Sequence, residues 1–484
     1  MFPNRFIILF LSHLCSWNSF SANGLSLQAS SLAIAPTFAI IGGTGKIGTS
    51  IASHILLRDS KSNVILIGRN IEKGKSAVSE VRKEIYDVQH SNNISSSLEG
   101  SISFQCADWK QSSELKKIAD EADCIIHTAG PFLDEKPDPL RQAIASERCR
   151  VYVDVSDPLE FLEASLEMKD LAKESGTSAL LAAGAFPGMS NVLAMEAANL
   201  LAKEQDPVKD VRFNYFTAGL GGSGDVNLFI TNIGFGEDMV QYDNGSLRFY
   251  KALSGLLLGK VDFFLDNGRH PLNENIQSEN AKAKNRIGRQ TVFSWPFPEA
   301  ATVARELKAS GQSSAAMGTA PDIWNTMLGI LVTIIPRKWW RSRAFSKFLA
   351  DFSQPLVKFS DFVLKLSSPD KVGETHAMRV DVIGESGNSY SCVQAHESFR
   401  RCVGQSCAEF ALDLLDHPSP GVQMPEQRYK DDISRKRIIE RLTTTTGTIA
   451  YTGAVAVESA PRPTGLDDAL RKANADEEKL SFIL

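Results

Sequence analysis

Thr37 to Ile41 is a short apolar run, and Gly42-Gly43-Thr44-Gly45-Lys46-Ile47-Gly48 follows it directly. Beyond the glycines, apolar residues recur at helical spacing (Ile47, Ile51, Ile55) up to about Arg58, and a second apolar run occupies Val64 to Gly68. Strand, glycine turn, helix, strand is the order a nucleotide-binding βαβ unit requires. The tight turn lets backbone amides approach a pyrophosphate, and the helix N-terminus adds the positive end of its dipole. A glycine cluster alone is weak evidence, but here both flanking strands are in place. Gly43, Thr44, Gly45, Lys46, Ile47 and Gly48 are therefore the expected phosphate-binding residues.

The end of the second run bears on which nucleotide binds. Sites selective for NAD place Asp or Glu there to accept from the ribose hydroxyls. This chain has Gly68-Arg69-Asn70, with Lys73 and Lys75 close behind. A guanidinium without a carboxylate suits a 2′-phosphate, so NADP is the expected cofactor and Arg69 its selectivity residue. The alternation then continues: helix 71–88, strand 102–107, helix 112–121, strand 124–128, helix 139–147, strand 151–155, helix 159–175, strand 178–183. That pattern predicts an α/β fold built on a doubly wound parallel Rossmann sheet. Ligands bind at the carboxyl ends of such strands, which places Asp108, Ala129 to Phe132 and Asp154 to Asp157 along one crevice, with Asp108, Ala129, Gly130 and Pro131 at the cofactor. His127, inside its strand, reads as a packed core histidine.

Composition removes several classes. Charged residues make up 23% and hydrophobic residues 43% of 484, a globular balance, and the net charge of −5 gives no reason to expect nucleic acid. Seven cysteines without a Cys-x-x-Cys pair argue against a disulfide scaffold or a zinc site, and no metal is expected. None of the eight tyrosines has Lys four positions later, so the Tyr-x-x-x-Lys acid/base pair of short-chain dehydrogenases is missing. Asp154, Asp157, His376 and His396 are candidate proton donors, and the catalytic residue stays unassigned. Residues 1–36 read as a targeting presequence: Arg5 precedes an apolar run from Phe6 to Leu14, and no acidic residue occurs before Asp59. A plastid reached through the secretory route is one destination, favoured by the free cysteines, and the secretory pathway itself is the other. Ile323 to Ile335 is apolar but too short to span a bilayer. Arg337-Lys338-Trp339-Trp340-Arg341 follows it, basic and aromatic together, which leaves open either a buried helix with a solvated loop or peripheral membrane contact.

Gly42 to Gly48, His127-Thr-Ala-Gly-Pro-Phe132, Asp154-Val-Ser156 and Ala183-Gly-Ala-Phe-Pro-Gly-Met-Ser-Asn191 together resemble the saccharopine dehydrogenase-like proteins, in a branch found in plants and cyanobacteria. Phe213 to Gly219 with Gly221-Gly222, Gly318 to Pro321 before Trp324, and Gly421 to Glu426 extend the likeness over about residues 37–430. The resemblance implies a Rossmann NADP-binding domain (37–207) and a second α+β domain (208–403) on a mostly antiparallel sheet, carrying substrate and dimer contacts. Residues 404–430 are expected to return to the first domain, and 431–484 to form a peripheral tail. One departure stands out. Where saccharopine-forming enzymes carry a Glu-x-Gly-Leu-Asp-Pro-Gly-Ile-Asp-His type of segment, this chain reads Ala182-Ala-Gly-Ala-Phe-Pro-Gly-Met-Ser-Asn191. The acidic groups and the histidine are lost, so saccharopine is not the expected substrate; a less polar carbonyl, imine or amine is. A nucleotide-binding scaffold or sensor without turnover is the alternative.

Overall fold

The computed structural model describes residues 35–91, 99–218, 225–243, 246–250, 257–264, 287–320, 322–367 and 375–458. The expected presequence lies outside them apart from Ala35 and Pro36, as do residues 92–98 between the second helix and third strand, residues 219–224, Pro321 and the chain beyond 458. From Ala35 onward the chain is one compact unit.

The first sheet contains β1 (Thr37–Ile41), β2 (Asn63–Gly68), β3 (Ser101–Cys106), β4 (Cys124–His127), β5 (Val151–Asp154), β6 (Ser178–Leu180) and β15 (Gly421–Gln423). Its order is β3-β2-β1-β4-β5-β6-β15, and every pair is parallel. β1, β4, β5 and β6 are wholly buried, which explains why they read as unbroken apolar runs: helices cover both faces. The order reverses between β1 and β4, and the loops after these two strands meet there. One expected helix differs. Residues 159–175 form two helices, Leu159–Leu166 and Lys169–Ser175. The Met168 N–H bonds back to Ser165 O at 3.1 Å, and this turn lets both Met168 and Ala172 reach the core.

The second sheet holds β7 (Val208–Ala218), β8 (Met239–Asp243), β9 (Ser246–Tyr250), β10 (Leu257–Asp262), β11 (Arg289–Ser294), β12 (Gln312–Ala320), β13 (His376–Gly384), β14 (Ser389–His396) and β16 (Thr448–Val457). Its main order is β10-β11-β12-β7-β13-β14-β16, with β8 branching from β12 and β9 from β8. Among the described residues only β12 with β7 is parallel; the remaining pairs are antiparallel. Val211, Phe213 and Met378 from this sheet share one hydrophobic cluster with Ile40 and Ile126 from the first, so the core runs through the 207/208 boundary.

The helix Phe399–Asp416 lies on the helix Lys46–Arg58. Its Glu409 carboxylate is buried between His54 and Arg58, at 2.7 Å from each, and a Cβ on Gly404 would fall 2.7 Å from Ser50 Cβ. The tail from 431 is not peripheral up to 457. Asp431 caps the helix Asp432–Thr443, Ile438 and Leu442 are fully buried, and β16 pairs with β14. Its arginines reach partners distant in sequence. Arg435 pairs with Glu196, Arg437 with Asp413 and Arg441 with Glu409, each at 2.7 Å.

Candidate functional site

The glycine loop is built by close approach. Gly42 has φ +80°, and a Cβ there would lie 2.8 Å from Ala129 N, so the loops after β1 and β4 touch through backbone alone. A Cβ on Gly48 would fall 2.6 Å from Gly43 Cα, which folds the loop onto the helix start. Gly45 precedes Lys46–Arg58 without any side-chain cap, and the first turn carries no acidic residue. The amides of Lys46, Ile47 and Gly48 therefore have no helical acceptor, and the positive dipole end faces outward. Lys46 Nζ sits 3.3 Å from Glu80, in solvent. Thr44 packs its side chain against Gly68 at the end of β2.

Arg69 follows Gly68 and is exposed; among the described residues its guanidinium has no hydrogen-bond or ion-pair partner. Its carbonyl accepts from Cys106 Sγ at 3.6 Å, and Asn70 Oδ1 caps the next helix through Lys73 N at 2.9 Å. Asp108, after β3, receives Lys110 N at 3.2 Å, while its own N–H donates to Glu114.

A cavity of about 260 Å³ opens at the switch point. Gly42, Gly45, Lys46, Ile47 and Gly48 line one end, with Thr128, Gly130, Pro131 and Phe132 from the loop after β4. Gly43, Thr44, Arg69, Asp108 and Ala129 stand outside this lining. Opposite the loop is an apolar wall that sequence reasoning missed: Phe186, Trp295, Phe297, Met317, Phe399 and Val403. Its only hint was the aromatic density of Phe293-Ser-Trp-Pro-Phe297, which no periodicity ties to the glycine loop.

The candidate donors separate here. Asp154 does not line the cavity: it is fully buried and turned back into the fold, with Oδ1 accepting from Ser156 Oγ at 2.6 Å and Ala182 N at 2.9 Å, and Oδ2 from Tyr152 at 3.1 Å. Asp157 lines it and also borders a smaller cavity beside Glu237. Burial pushes the Asp157 carboxyl up to about 7, and the Glu237 and Asp154 carboxylates push the same way. Burial holds His127 and His376 down to about 3 and His396 to about 4. His127 is enclosed by Trp109 and Phe132, as expected of a core histidine. His376 bonds Phe216 O at 3.1 Å, and His396 accepts from Ser398 N at 3.0 Å while bonding Gln405 at 3.0 Å. Among the described residues no group of three or more His, Cys, Asp or Glu is arranged to hold a metal ion.

No family model matches the sequence, and no curated protein matches it. Among solved structures, apo histidine-tagged saccharopine dehydrogenase (L-Glu forming) from Saccharomyces cerevisiae matches with a TM-score of 0.54 at 11% identity, covering 87% of this chain and 100% of that chain. The fold is saccharopine dehydrogenase-like. A triphenylmethane reductase of Citrobacter sp. complexed with NADP(H) is similar over 40% of this chain and 64% of that chain, at 14% identity and a TM-score of 0.23. A short-chain dehydrogenase from Sphingobium yanoikuyae in complex with NADPH covers 30% and 70%, at 14% identity and 0.21.

Within the saccharopine dehydrogenase-like fold, the segment Ala182–Asn191 is entirely buried. Gly188 has φ +133°, and a Cβ there would lie 2.0 Å from Gly184 O, so the turn closes on itself. Asn191 accepts from Gly188 N at 2.9 Å and donates to Glu426 at 2.7 Å. This turn pushes Phe186 into an aromatic cluster, stacked on Tyr215 at 4.1 Å and edge-on to Phe297 at 5.3 Å. The saccharopine dehydrogenase-like scaffold thus presents an apolar ring and Pro187 to the cavity at this point.

Proposed function

We propose that the protein is an NADP(H)-dependent oxidoreductase acting on a carbonyl or imine carbon, or the corresponding alcohol or amine, of an uncharged and largely apolar substrate. The observation that carries the reading is that the glycine loop, the Asp157 carboxyl and the aromatic wall line one cavity. The residues fit a dinucleotide. A side chain at Gly42, Gly43 or Gly48 would collide with the backbone that shapes the loop, and the Lys46, Ile47 and Gly48 amides would hold the pyrophosphate, with Arg69 taking the 2′-phosphate. Gly130 and Pro131 would bound the nicotinamide end. When bound, NADPH supplies the hydride.

The chain supplies the rest. Phe186, Trp295, Phe297 and Met317 hold the substrate by apolar burial and keep water from the reacting carbon. Asp157, with its proton retained to about pH 7, hands that proton to the oxygen or nitrogen that gains negative charge. The single cationic side chain on the described lining is Lys46, at the loop end. An amino-polycarboxylate such as saccharopine would leave carboxylates unpaired at the aromatic end, which is costly.

Following NADPH oxidation with a panel of aryl and alkyl ketones and imines tests this, with saccharopine formation and breakdown measured alongside. Turnover is expected for apolar members and absent for saccharopine. Reduction should slow as pH rises through about 7, because the donor loses its proton. Asp157→Asn should lower kcat by about 10²–10⁴ and flatten that profile. Tight NADPH binding with no turnover anywhere in the panel would support the scaffold alternative instead.

A further inference from the structure

The helices Asp322–Ile334, Arg337–Trp340 and Arg343–Ser367 carry an apolar surface that the redox reading does not use. Phe348, Phe352, Phe359 and Phe362 are each more than half exposed. Their spacings of four, seven and three place them on one face of the long helix. Ile330, Ile334 and Trp339 are likewise more than half exposed. Trp339 meets Phe345 edge to face at 5.3 Å, which joins the short helix to the long one. Aromatic rings at this density are seldom left to water without a partner.

We infer that this face docks on an anionic phospholipid bilayer. Charge argues for it: residues 322–367 hold seven Lys and Arg against three Asp, in a chain of net charge −5. Exposed Trp339 stands between Lys338 and the exposed Arg341 and Arg343, the composition of a bilayer interface. No helix among the described residues is long and apolar enough to cross a membrane, so the face lies on the bilayer. A second copy is a poorer partner, because a twofold contact would set the basic residues against themselves. A second observation points the same way. A cavity lined by Asn325, Leu328 and Gly329 of the first helix shares Thr231, Trp295 and Met317 with the site crevice. The helix that carries exposed Ile330 and Ile334 therefore also walls the route to the apolar end of the crevice, where a lipid-dissolved substrate would enter. That last point rests on the redox reading; the docking does not.

Vesicle flotation of the chain from Ala35, the compact unit that carries every contact described above, tests the docking without NADPH. Vesicles of phosphatidylcholine alone and of phosphatidylcholine with phosphatidylglycerol are compared. The anionic vesicles should bind, and salt should weaken the binding. Lys338→Gln with Lys347→Gln should lower partitioning about fivefold per charge removed. Phe348→Asp with Phe352→Asp should lower it at least about tenfold per ring, and both variants should melt like the parent because these side chains are exposed. A parent that ignores anionic vesicles, or floats equally well with both phenylalanines replaced, would overturn the inference. So would a parent dimer in light scattering that the phenylalanine variants split while no vesicle binds. Because flotation requires no turnover, its failure is distinct from failure of the redox reading.

Discussion

Arg69 stands in solvent at the carboxyl end of β2, with no described partner to satisfy its guanidinium. A charge-assisted contact to a 2′-phosphate contributes roughly 1.5–3 kcal/mol, so Arg69→Ala should weaken NADPH about ten- to a hundredfold. NADH should bind almost as before, and calorimetry with both nucleotides checks it. Equal NADPH affinity in the variant would move the selectivity elsewhere, Lys73 first. Asp154 and Asp157 show what a residue-level reading lacks. Asp154 ends β5 and Asp157 follows it, and both carry a carboxyl, but one is consumed by Ser156, Ala182 and Tyr152 while the other borders open space. Of those three partners only Ala182 comes from elsewhere in the chain.

Within the glycine loop, each glycine has its own reason. A Cβ on Gly48 collides with Gly43 at 2.6 Å, whereas one on Gly45 meets nothing closer than Gly42 O at 3.2 Å. Gly48→Val should therefore lower the melting temperature and nucleotide binding together. Gly45→Val, whose backbone is extended and compatible with valine, should keep the melting temperature and lose NADPH and NADH alike, because its side chain enters the crevice. Differential scanning calorimetry beside nucleotide titration distinguishes the two. At the other end of the chain, the helix Asp432–Thr443 is part of the core. Ile438→Ala should cost about 2–5 kcal/mol in denaturant unfolding, a loss that a peripheral tail would not produce. Its arginines are tied in by Glu196, Asp413 and Glu409, which belong to other helices.

At the scale of the whole molecule, residues 1–36 are proposed to carry the chain into a plastid through the secretory route. A fluorescent reporter behind Met1–Pro36 should accumulate there; secretion would favour the plain signal, and cytosolic retention would end the proposal. Six of the seven strands of the parallel sheet were legible, because their apolar runs and the amphipathic helices between them are patterns set by near neighbours; β15 was not, because it pairs with β6 from far along the chain. The glycine loop was legible for the same reason, since its close approaches lie within a few residues and only glycine permits them. The second sheet was legible only in pieces: Val211 to Thr217, Met378 to Ile383 and Tyr390 to Ala395 carry strand-like alternation or apolar runs, while the parallel β7–β12 pair and β16 depend on partners some hundred or more residues apart or beyond a presumed end. The cavity itself came from tertiary structure alone. Phe186, Trp295, Phe297, Met317 and Phe399 are ordinary apolar residues in the sequence, and only the packing of the two sheets on one core brings them to the glycine loop. Backbone geometry is encoded locally, so the sequence alone determined the nucleotide loop; the shape and polarity of the cavity are sums over distant residues, and folding decided them.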